Sequence, residues 1–304
     1  MKFLITGASG FVGSHLSLFL LDQNHFVIGL SRKPPARLMP HARFRFISAD
    51  TTRPGPWQKS LSDVDAVVNL TGRSIFGRWN EAVKTEIRES RILTTRHVVQ
   101  GLASGSKAVV LLSASGAGYY GSRGDEVLTE DAAAGDDFVA RLAKEWEGEA
   151  LAATEKGVRV VLMRFGVVLG PGGGAMAQMI PAFKAFVGGP LGNGRQWFPW
   201  IHLHDLLAAV LFLIEHPELS GPVNLCAPHP VPNRDLAAAL GQALNRPALM
   251  PAPAFVVRMA LGEFADVLLG SQRTVPEKLL QHHFSFKYPD IRSAVNAVVH
   301  GSTA

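Results

Sequence analysis

Apolar positions in the first half of the chain fall into short continuous runs separated by stretches with helical spacing. Lys2 to Thr6 is a short apolar run that leads directly into Gly7-Ala8-Ser9-Gly10-Phe11-Val12-Gly13. Val12, Leu16, Phe19 and Leu20 then recur at i, i+4, i+7 and i+8, one face of a helix. Further strand-like runs are Phe26 to Leu30, Phe44 to Ile47, Ala66 to Leu70, Ala108 to Leu112 and Val158 to Met163, and long helical stretches cover 79–103 and 137–154. Strands alternating with helices predict an α/β fold, a Rossmann-like doubly wound parallel sheet with helices on both faces.

The pattern changes after residue 170. The segment 170–200 is rich in glycine and holds four prolines, which predicts loops around a short helix, and 204–216 looks like one more helix. From residue 221 onward, prolines at 222, 228, 230, 232, 247, 251 and 253 break the chain into short elements. The expected organisation is therefore a dinucleotide-binding domain over 1–170, to which about 200–216 returns, and a smaller mixed C-terminal domain over 171–304.

Composition narrows the class. With 304 residues, 47% apolar and 18% charged, the chain can bury a sizeable core and is not disordered. Its net charge of +5 suits an anionic ligand. The cations are scattered, with no long run and no aromatic interleaving, so a phosphorylated small molecule accounts for the charge without nucleic acid. The longest apolar run, Leu206 to Ile214, is nine residues, far short of a membrane span, and the first residues lack a signal-peptide core. One cysteine, Cys226, fits a reducing compartment, so a cytoplasmic protein is expected.

Gly7, Gly10 and Gly13 stand where a strand turns into a helix. There, residues without a Cβ permit a tight turn, close approach of a pyrophosphate and close helix–strand packing, while the helix N-terminus offers free N–H groups to phosphates. The second strand ends Leu30-Ser31-Arg32-Lys33, with no carboxylate to hold a ribose 2′-hydroxyl. A guanidinium there grips a 2′-phosphate instead, which favours NADP(H) over NAD.

TGASGFVG, the Ser31-Arg32 ending and the NLTG segment from Asn69 to Gly72 resemble the extended short-chain dehydrogenases/reductases. GRWNE (77–81), SGAGYYG (115–121), RFGVVLGPGGGAM (164–176), GGPLGNGRQWFPWIHLHDL (188–206) and LGEFADVLLGSQRTVPEKLL (261–280) resemble one atypical branch. This is the SulA-type, cell-division-inhibitor-like NAD-dependent epimerase/dehydratase family. The resemblance implies that Gly7, Ser9, Gly10, Phe11, Val12 and Gly13 cradle the pyrophosphate and that Ser31 and Arg32 hold the 2′-phosphate. It further implies that Leu70, Thr71 and Gly72 line the cofactor, with Arg91 a further phosphate candidate or an exposed helix arginine.

Ordinary members of that superfamily use a Tyr-x-x-x-Lys pair, in which lysine lowers the tyrosine pKa for proton exchange. The three tyrosines here, Tyr119, Tyr120 and Tyr288, are followed four residues later by Arg123, Gly124 and Arg292, so the pair is missing. Counting back four from Lys144 on the expected helix finds Ala140. Substitutes are Tyr120 and Tyr119, expected near the nicotinamide end, and Ser115 or Ser113, able to hydrogen-bond a substrate carbonyl or merely to cap a strand. Lys144 and Glu147, three apart, suggest a solvated helix pair. His202, His204 and Asp205 do not have the spacing of a helical metal site, and Asp205 is expected to cap or to bond across the domains. The segment 192–200, with Arg195, Trp197 and Trp200, could line a substrate pocket or form a hinge plugged by tryptophans. The leading expectation is an NADP(H)-dependent oxidoreductase or epimerase-like protein acting on an unknown small molecule. The alternative is a non-catalytic NADPH sensor that binds a protein partner. A homodimer through the two long helices is left open, as they show no decisive apolar seam.

Overall fold

The computed structural model describes residues 1–35, 41–102, 110–248 and 250–301. Seven parallel strands form the central sheet. Its first five are β1 (Lys2–Thr6), β2 (Phe26–Ser31), β3 (Phe44–Ser48), β4 (Ala66–Asn69) and β5 (Val110–Gly116), and the strands Arg159–Phe165 and Gly221–Leu225 complete it. Across the sheet the order is Gly221–Leu225, Arg159–Phe165, β5, β4, β1, β2, β3. Ala108 and Val109, at the start of the expected fifth strand, lie outside the described residues, as does Ala103 at the end of the expected helix.

The strands read as continuous apolar runs because both faces of the sheet are covered. In β1, Phe3 and Ile5 belong to a cluster with Leu16 and Leu20 of α1 (Phe11–Asp22) and Leu206 and Leu213 of α5 (Leu203–Glu215). Leu4, between them, points to the opposite layer with Val98 of α2 (Glu81–Gly101), Leu111 and Val160. α3 (Phe138–Leu151) lies beside α2, and exposed pairs Arg88–Glu145 and Arg96–Glu149 cross between the two helices. α5 is held to the edge of the sheet by Arg159, whose Nη1 donates to the carbonyls of Leu213 (3.0 Å) and Leu219 (2.8 Å) near the helix end.

The Gly221–Leu225 strand pairs in parallel with Arg159–Phe165, so the chain returns to the central sheet beyond the expected 200–216 segment. A separate core gathers Met176 of α4 (Gly174–Lys184), Trp200, Leu236 of α6 (Asn233–Leu244), Tyr288 and Val295. Three small ladders tie the C-terminal region down. Val167–Leu169 pairs with Trp200–His202, Trp197–Phe198 with Val231–Pro232, and Val127–Leu128 with Arg273–Thr274.

Asp205, 1% exposed, bonds between the layers: its carboxylate accepts the backbone N–H groups of Lys287 and Tyr288, each at 2.9 Å. Asp205→Ala strands one buried and one half-buried donor, which should cost about 2–3 kcal/mol. Hydrogen exchange should show the loss first at the amides of Lys287 and Tyr288. Unchanged protection there would contradict the clamp.

Candidate functional site

The chain reverses direction across the sheet between β1 and β4, the switch point where α/β sheets open a crevice at their carboxyl ends. A cleft of about 360 Å³ opens there. One wall is the glycine turn. Gly7 has φ +69°, and a Cβ on it would stand 2.9 Å from the Leu70 carbonyl oxygen. A Cβ on Gly13 would overlap the Gly7 carbonyl oxygen, so α1 can pack this closely only with glycine there. Gly10 occupies the N-cap without a side-chain cap, and the first turn carries no acid. The positive end of α1 is thus left to a ligand. Gly7, Gly10, Phe11, Val12 and Gly13 line the cleft, whereas Ser9 lies exposed on the outside of the turn.

Across from the glycine turn, Thr6 donates from its hydroxyl to Asn69 Oδ1 at 2.7 Å and accepts the Leu70 N–H at 3.1 Å, which fixes the start of the next loop. Leu70 and Gly72 line the cleft, and Thr71 is held beside them through its N–H to Thr6. Arg91, on α2, also lines it and is not an exposed helix residue. Its Nη1 donates to the Ile87 carbonyl at 2.9 Å, and its guanidinium lies 5.2 Å from the centre of the Trp146 ring. A Cβ on Gly72 would come within 3.0 Å of that guanidinium carbon. Burial pushes the Arg91 pKa down to about 10, and no carboxylate among the described residues offsets it. A half-buried cation lining the same cleft as an uncapped helix N-terminus makes this part of the cleft electropositive.

Ser31 ends β2 and Arg32 follows it, next to the glycine turn, because Thr6 is paired with Leu30 and the Ala8 N–H bonds the Leu30 carbonyl. Arg32 is exposed. The Ser31 hydroxyl donates to the Lys33 carbonyl at 2.8 Å, shaping the loop. Asp50, beyond β3, is within the field of Arg32, but its carboxyl is held low chiefly by the Thr52 hydroxyl.

The far end of the cleft is lined by Ala114, Ser115, Gly116, Val139, Ala143 and Phe165. The helix phase differs from the count based on Lys144. Val139 and Ala143 are the i, i+4 pair facing the cleft, Ala140 is fully buried, and Lys144 is exposed. Lys144 and Glu147 do not form the expected solvated pair. Glu147 is buried and grips Arg164, with Arg164 Nε at 2.8 Å from Oε1 and Nη2 at 2.8 Å from Oε2. The Ser115 hydroxyl donates to the same Oε1 at 2.7 Å. Arg164 Nη1 continues to the Tyr120 hydroxyl at 3.0 Å, which donates to Asn224 Oδ1 at 2.7 Å. Ser115, Arg164 and Asn224 stand level on three neighbouring strands, so the row crosses the sheet.

Tyr120, expected near the nicotinamide end, is fully buried and absent from the cleft lining, and burial raises its phenol to about 12. Tyr119 is partly exposed and packs its ring on the Arg164 guanidinium at 3.5 Å. Ser113 accepts from Asn69 Nδ2 inside the sheet. Trp200 is plugged into the C-terminal core, whereas Trp197 is half-buried and donates from Nε1 to Asp125 at 2.7 Å. The His202 ring accepts the His204 N–H as a helix cap, and no group of three or more metal-type ligands occurs among the described residues. Nor is any described helix long and apolar enough to cross a membrane. The Glu147–Arg164 pair escaped sequence reasoning, although an arginine inside the apolar run Val160-Val161-Leu162-Met163-Arg164-Phe165 was its signal.

A parallel sheet of this order with a glycine cradle at its switch point defines a Rossmann-type α/β protein. The chain belongs to the NAD dependent epimerase/dehydratase family, whose sequence profile matches residues 3–226, while the profile of a domain of unknown function (DUF1731) matches 252–298. It is 38% identical over 302 residues to the epimerase family protein SDR39U1 homolog, chloroplastic, of Arabidopsis thaliana, covering 98% of this chain and 87% of that protein. It is 36% identical to the epimerase family protein YfhF of Bacillus subtilis, covering 98% of each. Among solved structures it is similar to the human epimerase family protein SDR39U1 (isoform 2) with NADPH. The TM-score is 0.86 at 31% identity, with 99% of this chain and 100% of that chain covered.

Proposed function

We propose that this chain binds NADP(H) in the cleft and acts as an epimerase-family oxidoreductase on a small molecule reaching its Ser115 end. The observation that carries the reading is that the uncapped N-terminus of α1 and the Arg91 guanidinium, with no counter-charge among the described residues, line one cleft. The NADPH seen with the human relative, which shares this fold along its whole length, supports the same cofactor. Gly7, Gly10 and Gly13 admit a pyrophosphate where any Cβ would intrude, and Arg32 presents an exposed guanidinium for a 2′-phosphate. When bound, a reduced nicotinamide supplies hydride. Val139, Ala143 and Phe165 exclude water from that end, and Ser115 meets the substrate. Tyr120 braces the sheet through Asn224 and Arg164.

Titration of the purified chain with NADPH and NADH tests the cofactor reading. NADPH should bind more tightly, and Arg32→Ala should erase that preference, weakening NADPH about tenfold or more and NADH little. Equal losses for both would remove Arg32 from the 2′-phosphate, and no binding of either would refute the cofactor reading.

A second reading, an NADPH sensor for a protein partner, is favoured by one observation: Val139 and Ala143 occupy the cleft face on which the superfamily's acid pair is expected. Mass spectrometry of ligands released from the purified protein separates the two. A second small molecule beside the dinucleotide supports the enzyme, and a dinucleotide alone that changes affinity for a protein supports the sensor.

A further inference from the structure

The hydroxyl proton of Ser115 is already committed. It points to Glu147 Oε1 at 2.7 Å, inside a site where Ser115 and Glu147 are 4% and 6% exposed. Glu147 is a buried carboxylate satisfied by three donors: the Ser115 hydroxyl and two guanidinium N–H groups of Arg164. Turning the serine proton into the cleft would strip one donor from a buried charged acceptor, a costly exchange. Arg164 cannot shift to compensate, because its Nη1 is held by the Tyr120 hydroxyl and the Glu130 carbonyl. Ser115 thus turns only its oxygen lone pairs to the cleft. The surrounding wall of Val139, Leu142, Ala143, Trp146 and Phe165 is apolar, and the Trp146 indole N–H is already donated to Thr95 at 2.8 Å.

We propose that Glu147 is a positioning residue that fixes Ser115 as a hydrogen-bond acceptor, so that this end of the cleft selects an apolar molecule carrying a hydroxyl donor. This rests on the reading of the cleft as the cofactor and substrate site. It differs from the sequence expectation, in which Ser115 donates to a carbonyl. It also sets the substrate class apart from sugar nucleotides, since the wall offers one acceptor and no array of polar groups for a polyhydroxylated ring.

The test uses the full chain saturated with NADPH and two non-reducible probes, benzyl alcohol and benzyl methyl ether, titrated by ligand-observed NMR. The alcohol should bind about five- to tenfold more tightly than the ether, a preference expected of one hydrogen bond. Ser115→Ala should bring the two probes within twofold of each other while the NADPH affinity stays within twofold of the parent protein. Glu147→Gln, if it folds, can donate to Ser115 and release its proton to the cleft, so the preference should vanish there too with the serine still present. Equal binding of the probes by the parent protein would overturn the proposal. A drop of more than fivefold in NADPH affinity in Ser115→Ala would also overturn it, because the serine would then be accepting from the nicotinamide carboxamide. Failure of the parent protein to bind NADPH would refute the cofactor reading itself and this proposal with it.

Discussion

Replacing Glu147 with alanine should destabilise the protein by about 3–5 kcal/mol, because it leaves the Arg164 guanidinium buried without its counter-charge. For a chain of this length that is roughly 5–8 °C in Tm, measurable by calorimetry. Arg164 is 3% exposed at its side chain and Glu147 7%, so water cannot replace the lost partner. The companion variant with both residues changed to methionine should recover more than half of the loss. An apolar pair of similar volume carries no desolvation cost, and the Tyr120 hydroxyl keeps its bond to Asn224. The double-mutant cycle should therefore give a coupling of about 2 kcal/mol or more. The exposed Arg88–Glu145 pair, 48% and 36% exposed at its side chains, should give less than about 1 kcal/mol in the same cycle. A Glu147→Ala protein that melts within a degree of the parent would show that the row across the sheet does not hold the cleft end in place.

Sequence reveals what is local. The strands β1, β2 and β4 are visible because their neighbours bury both faces, leaving apolar runs such as Phe3-Leu4-Ile5 with no alternation to confuse them. The glycine turn is visible because close packing at Gly7 and Gly13 forces the residue type. By contrast, Gly221–Leu225 falls in the stretch whose prolines suggest short elements of a separate C-terminal domain, yet it forms the edge of the central sheet. Asn224 is buried there because it pairs with Tyr120, a partner 104 residues away. The phase of α3 is hidden for a similar reason. Spacing alone aligns Ala140 and Lys144 with the superfamily's pair, but the helix turns Val139, Leu142, Ala143 and Trp146 to the cleft, while Ala140 faces the core and Lys144 the solvent. The same long-range pairing drew Glu147 away from Lys144 and took Tyr120 out of the cleft. The placements of Glu147 and Tyr120 both follow from one arginine, Arg164, whose partners come from α3, the turn after β5 and the segment around Glu130.

Arg91→Met should weaken NADPH and NADH equally, by about 30-fold or more, while the protein without cofactor melts no lower than the parent. The equal loss is expected because Arg91 lines the cleft together with the Gly7–Gly13 turn, the place proposed for the pyrophosphate that both cofactors carry, whereas Arg32, proposed for the 2′-phosphate, does not line it. Truncating one member of a buried charge pair costs at least about 2 kcal/mol of binding, which sets the lower limit on the loss. The unchanged or higher melting temperature has the opposite origin. In the free protein the guanidinium is desolvated with no counter-ion among the described residues, so its removal relieves a cost, and methionine keeps the aliphatic contact with Trp146. The rise in Tm on adding saturating NADPH should shrink accordingly, since that rise follows the ratio of ligand concentration to Kd. Loss of NADPH affinity alone would move Arg91 to the 2′-phosphate. No loss with either cofactor would leave it a structural cation and refute its role opposite the helix N-terminus. The pairing of Arg91→Met with Arg32→Ala thus separates the two anion sites by chemistry alone, one blind to the 2′-phosphate and the other reading it.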